Sequence, residues 1–321
     1  IKGLDEVLTQ EEMSAVQDYL AWHYIHASAR LLSKVLVDEN FDFYGRTLTG
    51  AEQQKPRWKR CVSATDDELG EALGRKFVEK TFGAEGKERT LKMVGEIERE
   101  MGRDIDSLTW MSPETKKEAH IKLRAVTNKI GYPDKWRDYS SVQIAADDYF
   151  NNWYRANEFE NKRQLDKIGQ PVDRAEWAMT PPTVNAYYDP TQNNINFPAG
   201  ILQPPFYSNK AGDAVNYGAV GHVIGHELTH AFDDEGRQFD ADGNLKNWWQ
   251  KNDEIEFKKL ADCFVNEYGS FSPVPGVELN GRLTLGENTA DNGGVRLAYL
   301  ALVDDLANQK KPLDGEVDGY T

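Results

Sequence analysis

The sequence predicts a mainly α-helical protein with a small β element, an α+β fold. Apolar and aromatic residues recur at helical spacing through most of the first half, beginning near Val16. The sequence pattern changes near residue 163. Prolines follow, and two short strand-like runs occur at 184–188 and 194–197. Helical patterns return after residue 218. The chain is therefore expected to have a helical first part and a mixed second part.

Several helices of the first part are predicted to begin at capping residues. Thr9 and Glu12 have the spacing of a capping box, so a helix is predicted to begin at Thr9. Ser112 followed by Pro113 combines a favoured N-cap with a proline in the first helical turn. The predicted helices cover residues 9–36, 66–82, 85–101, 112–126 and 147–165, with a loop at 40–56 and a turn at 130–133.

The second part begins with a predicted hairpin. The turn at 189–192 joins the two short strands, and a proline-rich loop follows. Helices are then predicted at 218–232, 248–268 and 285–306. Trp110, Trp136 and the pair Trp248–Trp249 are expected to pack in the core. The run from Asp240 to Asn244 lacks the closing Glu of a calcium loop and is interpreted as a polar turn.

Composition limits the classes of function. The 321 residues are enough for two domains. The net charge of −15 disfavours nucleic acid as a partner, because phosphate binding depends on Lys and Arg. No run of about 18 apolar residues is present, so no membrane segment is predicted. Cys61 and Cys263 fit a disulfide, pairing with something else, or two buried free thiols.

The run His226-Glu227-Leu228-Thr229-His230 has the H-E-x-x-H pattern. On a helix, His226 and His230 fall on one face, one turn apart, and can point two imidazoles at the same ion. Glu227 projects beside them, where a carboxylate can serve as a base for water. The pattern predicts a catalytic zinc site, which needs a third protein ligand.

A second acidic pair supplies the third ligand in this prediction. Glu287 and Asp291 are also spaced i, i+4, so they share one face of the final helix. We expect Glu287 to coordinate the metal and Asp291 to reach the other ring nitrogen of a ligand histidine. The alternative is a polar helix face with surface His and Glu. The apolar flanks of the motif, including Val220 and Ile224, argue against it, because buried charges need a partner or a metal.

With these two motifs the chain resembles the neprilysin family of zinc metallopeptidases, which includes the endothelin-converting enzymes and bacterial oligopeptidase O. Four stretches carry the resemblance: 223–234 around the H-E-x-x-H motif, 286–294 around Glu287, 184–188, and 197–206. Weaker similarity runs through most of the chain, including Trp58 to Cys61 and residues 130–133.

The resemblance implies a role for each matching residue. His226, His230 and Glu287 would bind one Zn²⁺ ion, with Glu227 as general base and Asp291 as the partner of the first histidine. Asn185 and Ala186 would form the edge segment that hydrogen-bonds the substrate backbone. Hydrophobic S1′ pocket walls would come from Ile201, Phe206 and Val223. The implied fold is a thermolysin-like catalytic domain at 163–321 and a helical domain at 1–162 that limits substrates to peptides.

His222 departs from the family pattern. It lies one turn before His226, where family members often carry an apolar residue lining S1′. The two interpretations are an extra metal or pH-sensitive group, and a pocket-wall residue without chemistry. The second is favoured, because catalytic zinc needs an open position for water.

The resemblance also predicts that the chain is an internal part of a longer protein. A family histidine and arginine that stabilise the transition state have no match here, since all six histidines lie at or before His230. We therefore expect the isolated chain to bind zinc weakly and cleave peptides poorly. Cys61 and Cys263 resemble cysteines whose partners are elsewhere, so they are not expected to bond to each other. This favours an extracytoplasmic location, with a cytoplasmic one left open.

The sequence predicts a zinc endopeptidase that cleaves oligopeptides on the amino side of hydrophobic residues. A zinc aminopeptidase would need an amine-anchoring motif such as Gly-x-Met-Glu-Asn, which is absent. The alternative from another class is a non-catalytic zinc-binding interaction module, or an inactive fragment. Glu227 argues against a purely structural site, which has no use for a base beside the metal.

Overall fold

A computed structural model describes residues 2–313 of the chain. Ile1 and residues 314–321, at the outer limits of the two predicted domains, lie outside the described part. The structure is mainly helical with one small sheet, so the predicted fold class is confirmed.

Helices make up most of the described chain, and three short strands form the sheet. The α-helices are α1 Lys2–Gln10, α2 Met13–Ser28, α3 Lys34–Asn40, α4 Arg57–Thr81, α5 Ala84–Ser107, α6 Pro113–Arg124, α7 Tyr149–Leu165, α8 Asp213–Asn216, α9 His222–His230, α10 Lys251–Gly269 and α11 Leu285–Asn308. The strands are β1 Thr127–Gly131, β2 Tyr187–Asp189 and β3 Asn194–Pro198. Short 3₁₀ helices occur at Ala29–Leu31 and Gly236–Gln238, and π-helical turns at Phe41–Thr47 and Tyr217–Gly221.

The chain forms two compact units. One contains Ile1–Leu69 and Asp138–Pro171, and the other contains Gly70–Arg137 and Val172–Thr321. Helix α4 runs across this division, and its helical geometry is broken at Leu69 (φ −133°, ψ 37°). The predicted domains, 1–162 and 163–321, follow the family resemblance and stay a prediction.

The predicted capping box near the N-terminus is wrong. Thr9 lies inside α1, where its hydroxyl donates to the backbone carbonyls of Asp5 and Glu6. Glu12, not Thr9, is the N-cap of α2, in an extended conformation. The local back-bonding of Thr9 competes with capping, which is a known alternative for Thr in a helix. The predicted loop at 40–56 likewise contains the π-helical turn Phe41–Thr47.

The sheet has strand order β1-β3-β2. Strands β2 and β3 pair antiparallel, as expected for the predicted hairpin. Strand β1 pairs parallel to β3, with Ile130 opposite Phe197, where the sequence had predicted only a turn. The turn begins at Gly131, which has a positive φ of +83°. The Phe82 ring lies so close to Gly131 that a Cβ would not fit there. The strand was missed because its partner lies far away along the chain.

The core of the second unit surrounds the sheet and α9. Val94 and Ile97 of α5, Phe197 of β3, and Ile224 and Leu228 of α9 are fully buried. One side of α9 is thus anchored in the core, which leaves its histidine face to point away from it.

The tryptophans pack as predicted. The rings of Trp110 and Trp249 stack with centroids 5.9 Å apart, and Trp136 stacks on Tyr132 at 6.0 Å. Trp248 donates its indole N–H to the Phe239 carbonyl. Helix α10 begins at Lys251, after the tryptophan pair.

The cysteines Cys61 and Cys263 are free and exposed, so the interpretation of both as buried thiols is wrong.

The run from Asp240 to Asn244 is a polar turn, as predicted. One carboxylate oxygen of Asp240 accepts the backbone N–H groups of Asp242 and Asn244.

Ser112 caps α6 and ties it to α10. Its hydroxyl oxygen accepts the N–H of Thr115, and its own N–H and O–H both donate to the buried carboxylate of Asp253. Replacing Ser112 with alanine is expected to lower the free energy of unfolding by about 1–2 kcal/mol, because the cap is lost and Asp253 loses a partner. Urea denaturation would measure it, with Ser270→Ala as control. An equal, small effect in both variants would contradict the prediction.

Candidate metal centre

Helix α9 places two histidines side by side. The Nε2 atoms of His226 and His230 lie 3.0 Å apart. Both side chains are largely but not fully buried, at 16% and 19% exposure. The helix has only nine residues, yet its other face is fixed in the core by Ile224 and Leu228. Two imidazoles one turn apart are therefore held on the open side of an anchored helix.

Helix α11 brings Glu287 to the same point. Its Oε2 atom lies 3.3 Å from Nε2 of His226 and 3.8 Å from Nε2 of His230. Two ligand atoms of a tetrahedral zinc ion, each about 2.1 Å from the metal, lie about 3.4 Å apart. Two imidazole nitrogens and one carboxylate oxygen at these separations fit the donor set of a zinc site. Among residues 2–313, this is the group of His, Cys, Asp and Glu side chains that could hold a metal ion.

Each histidine is held by a carboxylate on its other ring nitrogen. Nδ1 of His226 lies 2.9 Å from Asp291, so the structure brings together the pair that the sequence predicted. Nδ1 of His230 lies 2.6 Å from Asp233. An ionised carboxylate can only accept, so both Nδ1 atoms carry the proton and both Nε2 atoms are free to bind a metal.

Asp233 was missed as a functional residue. It is buried, and its second oxygen accepts the N–H groups of Glu235 and Gly236 at 2.9 and 2.7 Å. It lies three residues after His230, just past the end of α9, and this short spacing could have suggested the contact.

The two carboxylates act differently on the two rings. Burial and the neighbouring His230 lower the pKa of His226, despite the contact with Asp291. Burial also opposes the charged form of His230, but the bond to Asp233 outweighs it and raises the pKa of His230. The contact of His230 with the buried Asp233 is also the shorter of the two, at 2.6 Å against 2.9 Å for His226 with Asp291.

Glycines let α9 and α11 approach closely enough to form the site. A Cβ on Gly294 would lie 2.6 Å from the backbone carbonyl oxygen of His222 and 2.8 Å from the backbone nitrogen of His226. A Cβ on Gly225 would lie 2.8 Å from the Gly294 Cα, and one on Gly293 would lie 2.3 Å from the Thr229 hydroxyl. No side chain fits at the crossing, so the Gly293-Gly294 pair sets the distance between Glu287 and the two histidines.

Glu227 lies beside the cluster and is almost completely buried, at 6% exposure. Burial raises the pKa of Glu227 to about 7, and Glu287 adds to the effect while His230 opposes it. The nearby backbone N–H of Tyr188 also opposes this rise in the pKa. A carboxylate with a pKa near neutrality is suited to take up and release a proton.

These groups share a cleft of about 550 Å³ with the hairpin. Asn185 and Ala186, the predicted substrate-binding segment, line it together with Tyr187 and Tyr188. The lining also includes Pro190, His226, Glu227, His230, Asp233, Glu235, Gly236 and Glu287. The predicted edge segment and the metal cluster therefore face the same space.

The other predicted substrate-binding residues do not line this cleft. Ile201 is buried in the core, and Phe206 and Val223 are partly buried against it. Nε2 of His222 lies 3.5 Å from Asp291, and its ring centroid lies 6.3 Å from that of His226. His222 thus lies beside the carboxylate partner of His226, outside the three-donor cluster.

Comparison with known proteins identifies the family. Sequence profiles described as Peptidase family M13 match residues 1–133 and 185–320. The chain belongs to peptidase family M13. Human endothelin-converting enzyme 1 is 40% identical over 311 residues, which is 94% of this chain, and human neprilysin is 38% identical over 308 residues, or 93%. The predicted family resemblance is confirmed.

An M13 structure agrees with the fold as well. The zinc metalloprotease Zmp1 of Mycobacterium tuberculosis, in complex with an inhibitor, superposes with a TM-score of 0.86 at 44% identity, covering 94% of this chain and 46% of that chain. The chain spans about 40% of the length of the two human relatives. Among the described residues, no helix has both the length and the apolar character needed to cross a membrane.

Proposed function

We propose that the full-length protein is a zinc endopeptidase acting on oligopeptides. The observation that carries this proposal is the convergence of His226, His230 and Glu287 beside the buried carboxylate of Glu227. Three donors with one position left over are typical of a catalytic zinc site, whereas a structural site uses four protein ligands. Membership of M13 and the likeness to a zinc metalloprotease support the same metal and the same class of reaction.

His226, His230 and Glu287 would hold the metal, with Asp291 and Asp233 fixing the two imidazoles through Nδ1. A bound zinc ion supplies Lewis acidity towards a carbonyl and makes a water molecule more acidic. Glu227 would take the proton from the attacking water and pass it to the leaving amine. Its burial beside the three donors would keep the carboxylate in place for both transfers.

The substrate would bind along the hairpin side of the cleft. Asn185 is exposed and Ala186 follows it at the entrance to β2, so this segment offers backbone groups to an extended peptide. We propose that cleavage is favoured before a hydrophobic residue. The family resemblance assigns Ile201, Phe206 and Val223, with His222 beside them, to an S1′ wall, and because none of them lines the cleft around the metal cluster, that wall would lie outside this cleft. The proposed domains are 1–162 for substrate restriction and 163–321 for catalysis, and the proposed location is extracytoplasmic.

Removing the metal tests the proposal. Dialysis of the full-length protein against a chelator is expected to abolish cleavage of a fluorogenic oligopeptide, and one equivalent of Zn²⁺ is expected to restore it. The metal-free protein should also melt at a lower temperature, because a ligand that binds only the folded state stabilises it. The control is Mg²⁺, which prefers an all-oxygen octahedral site and should not restore activity.

Two outcomes would contradict the proposal. Cleavage that survives complete metal removal would rule out zinc as the source of the chemistry. Zinc binding without cleavage of any oligopeptide would favour the non-catalytic binding module.

A further inference from the structure

Lys122 is among the largest fully buried side chains of the described structure, at 1% exposure. It lies near the end of α6, and its ammonium group donates to three backbone carbonyls. The acceptors are Ala231 at 2.7 Å, Gly236 at 2.6 Å and Phe239 at 2.7 Å. An ammonium group has three N–H donors, so every donor is used.

Such a group is costly to bury unless it is fully paired. The rings of Tyr188, Phe232 and Trp248 surround it, with centroids 5.8, 5.8 and 6.0 Å from Nζ, at the outer limit of cation–π attraction. Burial lowers the pKa of Lys122 to about 7, against the opposing charges of Asp233 and Asp240. The chain therefore keeps a polar amino group where an apolar side chain would bury more easily, which indicates that the three bonds matter.

All three acceptors belong to one segment, residues 231–239, which follows the H-E-x-x-H helix. Asp233 lies inside this segment and is held there by the N–H groups of Glu235 and Gly236. Gly236 thus donates its N–H to Asp233 and accepts from Lys122 through its carbonyl. The chain of contacts runs from Lys122 through the segment to Asp233, and from Asp233 to Nδ1 of His230.

We propose that Lys122 is a positioning residue for the metal centre, which fixes segment 231–239 so that Asp233 holds the His230 ring in its ligand orientation. Lys122 contacts none of the three metal donors and is not itself part of the cleft lining, so its proposed effect on the metal runs through the segment and Asp233. The proposal rests on the proposed function, because it assigns the purpose of the contact to zinc binding. Losing a carboxylate that hydrogen-bonds a ligand histidine typically lowers metal affinity 10–100-fold.

The experiment compares two buried lysines in the full-length protein. Lys122→Met removes the three donors and keeps an unbranched side chain that is one heavy atom shorter. Lys129→Met is the matched control, since Lys129 of β1 is also buried and donates to the Glu176 carbonyl and the Gln192 side chain, away from segment 231–239. The zinc dissociation constant is measured by competition with a chelator, and the absorption spectrum of the Co²⁺-substituted protein reports ligand geometry.

Lys122→Met is expected to bind zinc about 10-fold or more weakly and to change the Co²⁺ spectrum, whereas Lys129→Met leaves both near wild type. Equal zinc affinity in the two variants would overturn the proposal, since both would then be packing residues only. If Lys122→Met does not fold, Lys122→Gln replaces it, because the amide keeps two donors and should lose a smaller part of the affinity. Failure of the wild-type protein to bind zinc would overturn the proposed function instead, before any variant is compared.

A double-mutant cycle with Asp233→Asn tests the route. If Lys122 acts through Asp233, adding Lys122→Met to Asp233→Asn should cost little further zinc affinity, and the two effects will not add. Fully additive losses would overturn the proposed route.

Discussion

Replacing Glu227 with glutamine is expected to lower kcat/KM for peptide cleavage by a factor of about 10²–10⁴, the range that general acid–base catalysis contributes. The change keeps the shape of the side chain and removes its capacity to hold a proton. Zinc binding should persist, because the three donors His226, His230 and Glu287 are untouched. The measurements are steady-state cleavage of an oligopeptide and the zinc content of the purified variant.

Glu235→Gln is the matched control for this prediction. Glu235 lines the same cleft, but it is exposed, and its side chain accepts only a weak contact from Gln238. The same loss of one negative charge in the same space should change kcat/KM by less than about threefold, the effect of a screened surface charge. Similar losses in both variants would show that cleft charge, and not a specific base, is responsible. Unchanged activity in Glu227→Gln would favour the non-catalytic module.

Local spacing predicted the pairs within each helix of the site. His226 with His230, and Glu287 with Asp291, are i, i+4 pairs, and such pairs share a helix face whatever surrounds the helix. That α9 and α11 meet across one point was inferred from the chemistry of zinc and from the family resemblance, and the structure brings Glu287 within 3.8 Å of both histidines. The metal cluster was thus accessible from the sequence.

The contacts that hold the metal cluster in place could not be predicted from the sequence in the same way. Lys122 is 109 residues from Ala231, whose carbonyl it binds, and no local pattern marks a buried lysine in an otherwise charged helix. Strand β1 was missed for a similar reason, since a short parallel strand is defined by its partner β3 and not by its own sequence. Contacts between distant segments depend on the whole fold, whereas i, i+4 pairs depend only on the helix.

The close backbone approach of α11 to α9 gives the second large effect. Replacing Gly294 with alanine is expected to lower the free energy of unfolding by about 3 kcal/mol, the upper end for overpacking. The new Cβ would lie 2.6 Å from the His222 carbonyl oxygen and 2.8 Å from the His226 nitrogen. Both are backbone atoms, so no rotamer change relieves the contact, and α11 must move away from α9. Glu287 moves with α11, and zinc affinity should fall together with stability.

Gly95→Ala separates this clash from the general effect of a methyl group on a helix. Gly95 lies inside α5, and a Cβ there would meet no atom within 4 Å. That substitution should be neutral or stabilise the protein by up to about 1 kcal/mol, the difference in helix propensity between alanine and glycine. Thermal unfolding with and without Zn²⁺ measures both variants. If Gly294→Ala matched Gly95→Ala in stability and in zinc affinity, the close crossing of α9 and α11 would not set the geometry of the metal centre. A loss of zinc affinity confined to Gly294→Ala would show that the glycine pair controls the distance between the two ligand-bearing helices.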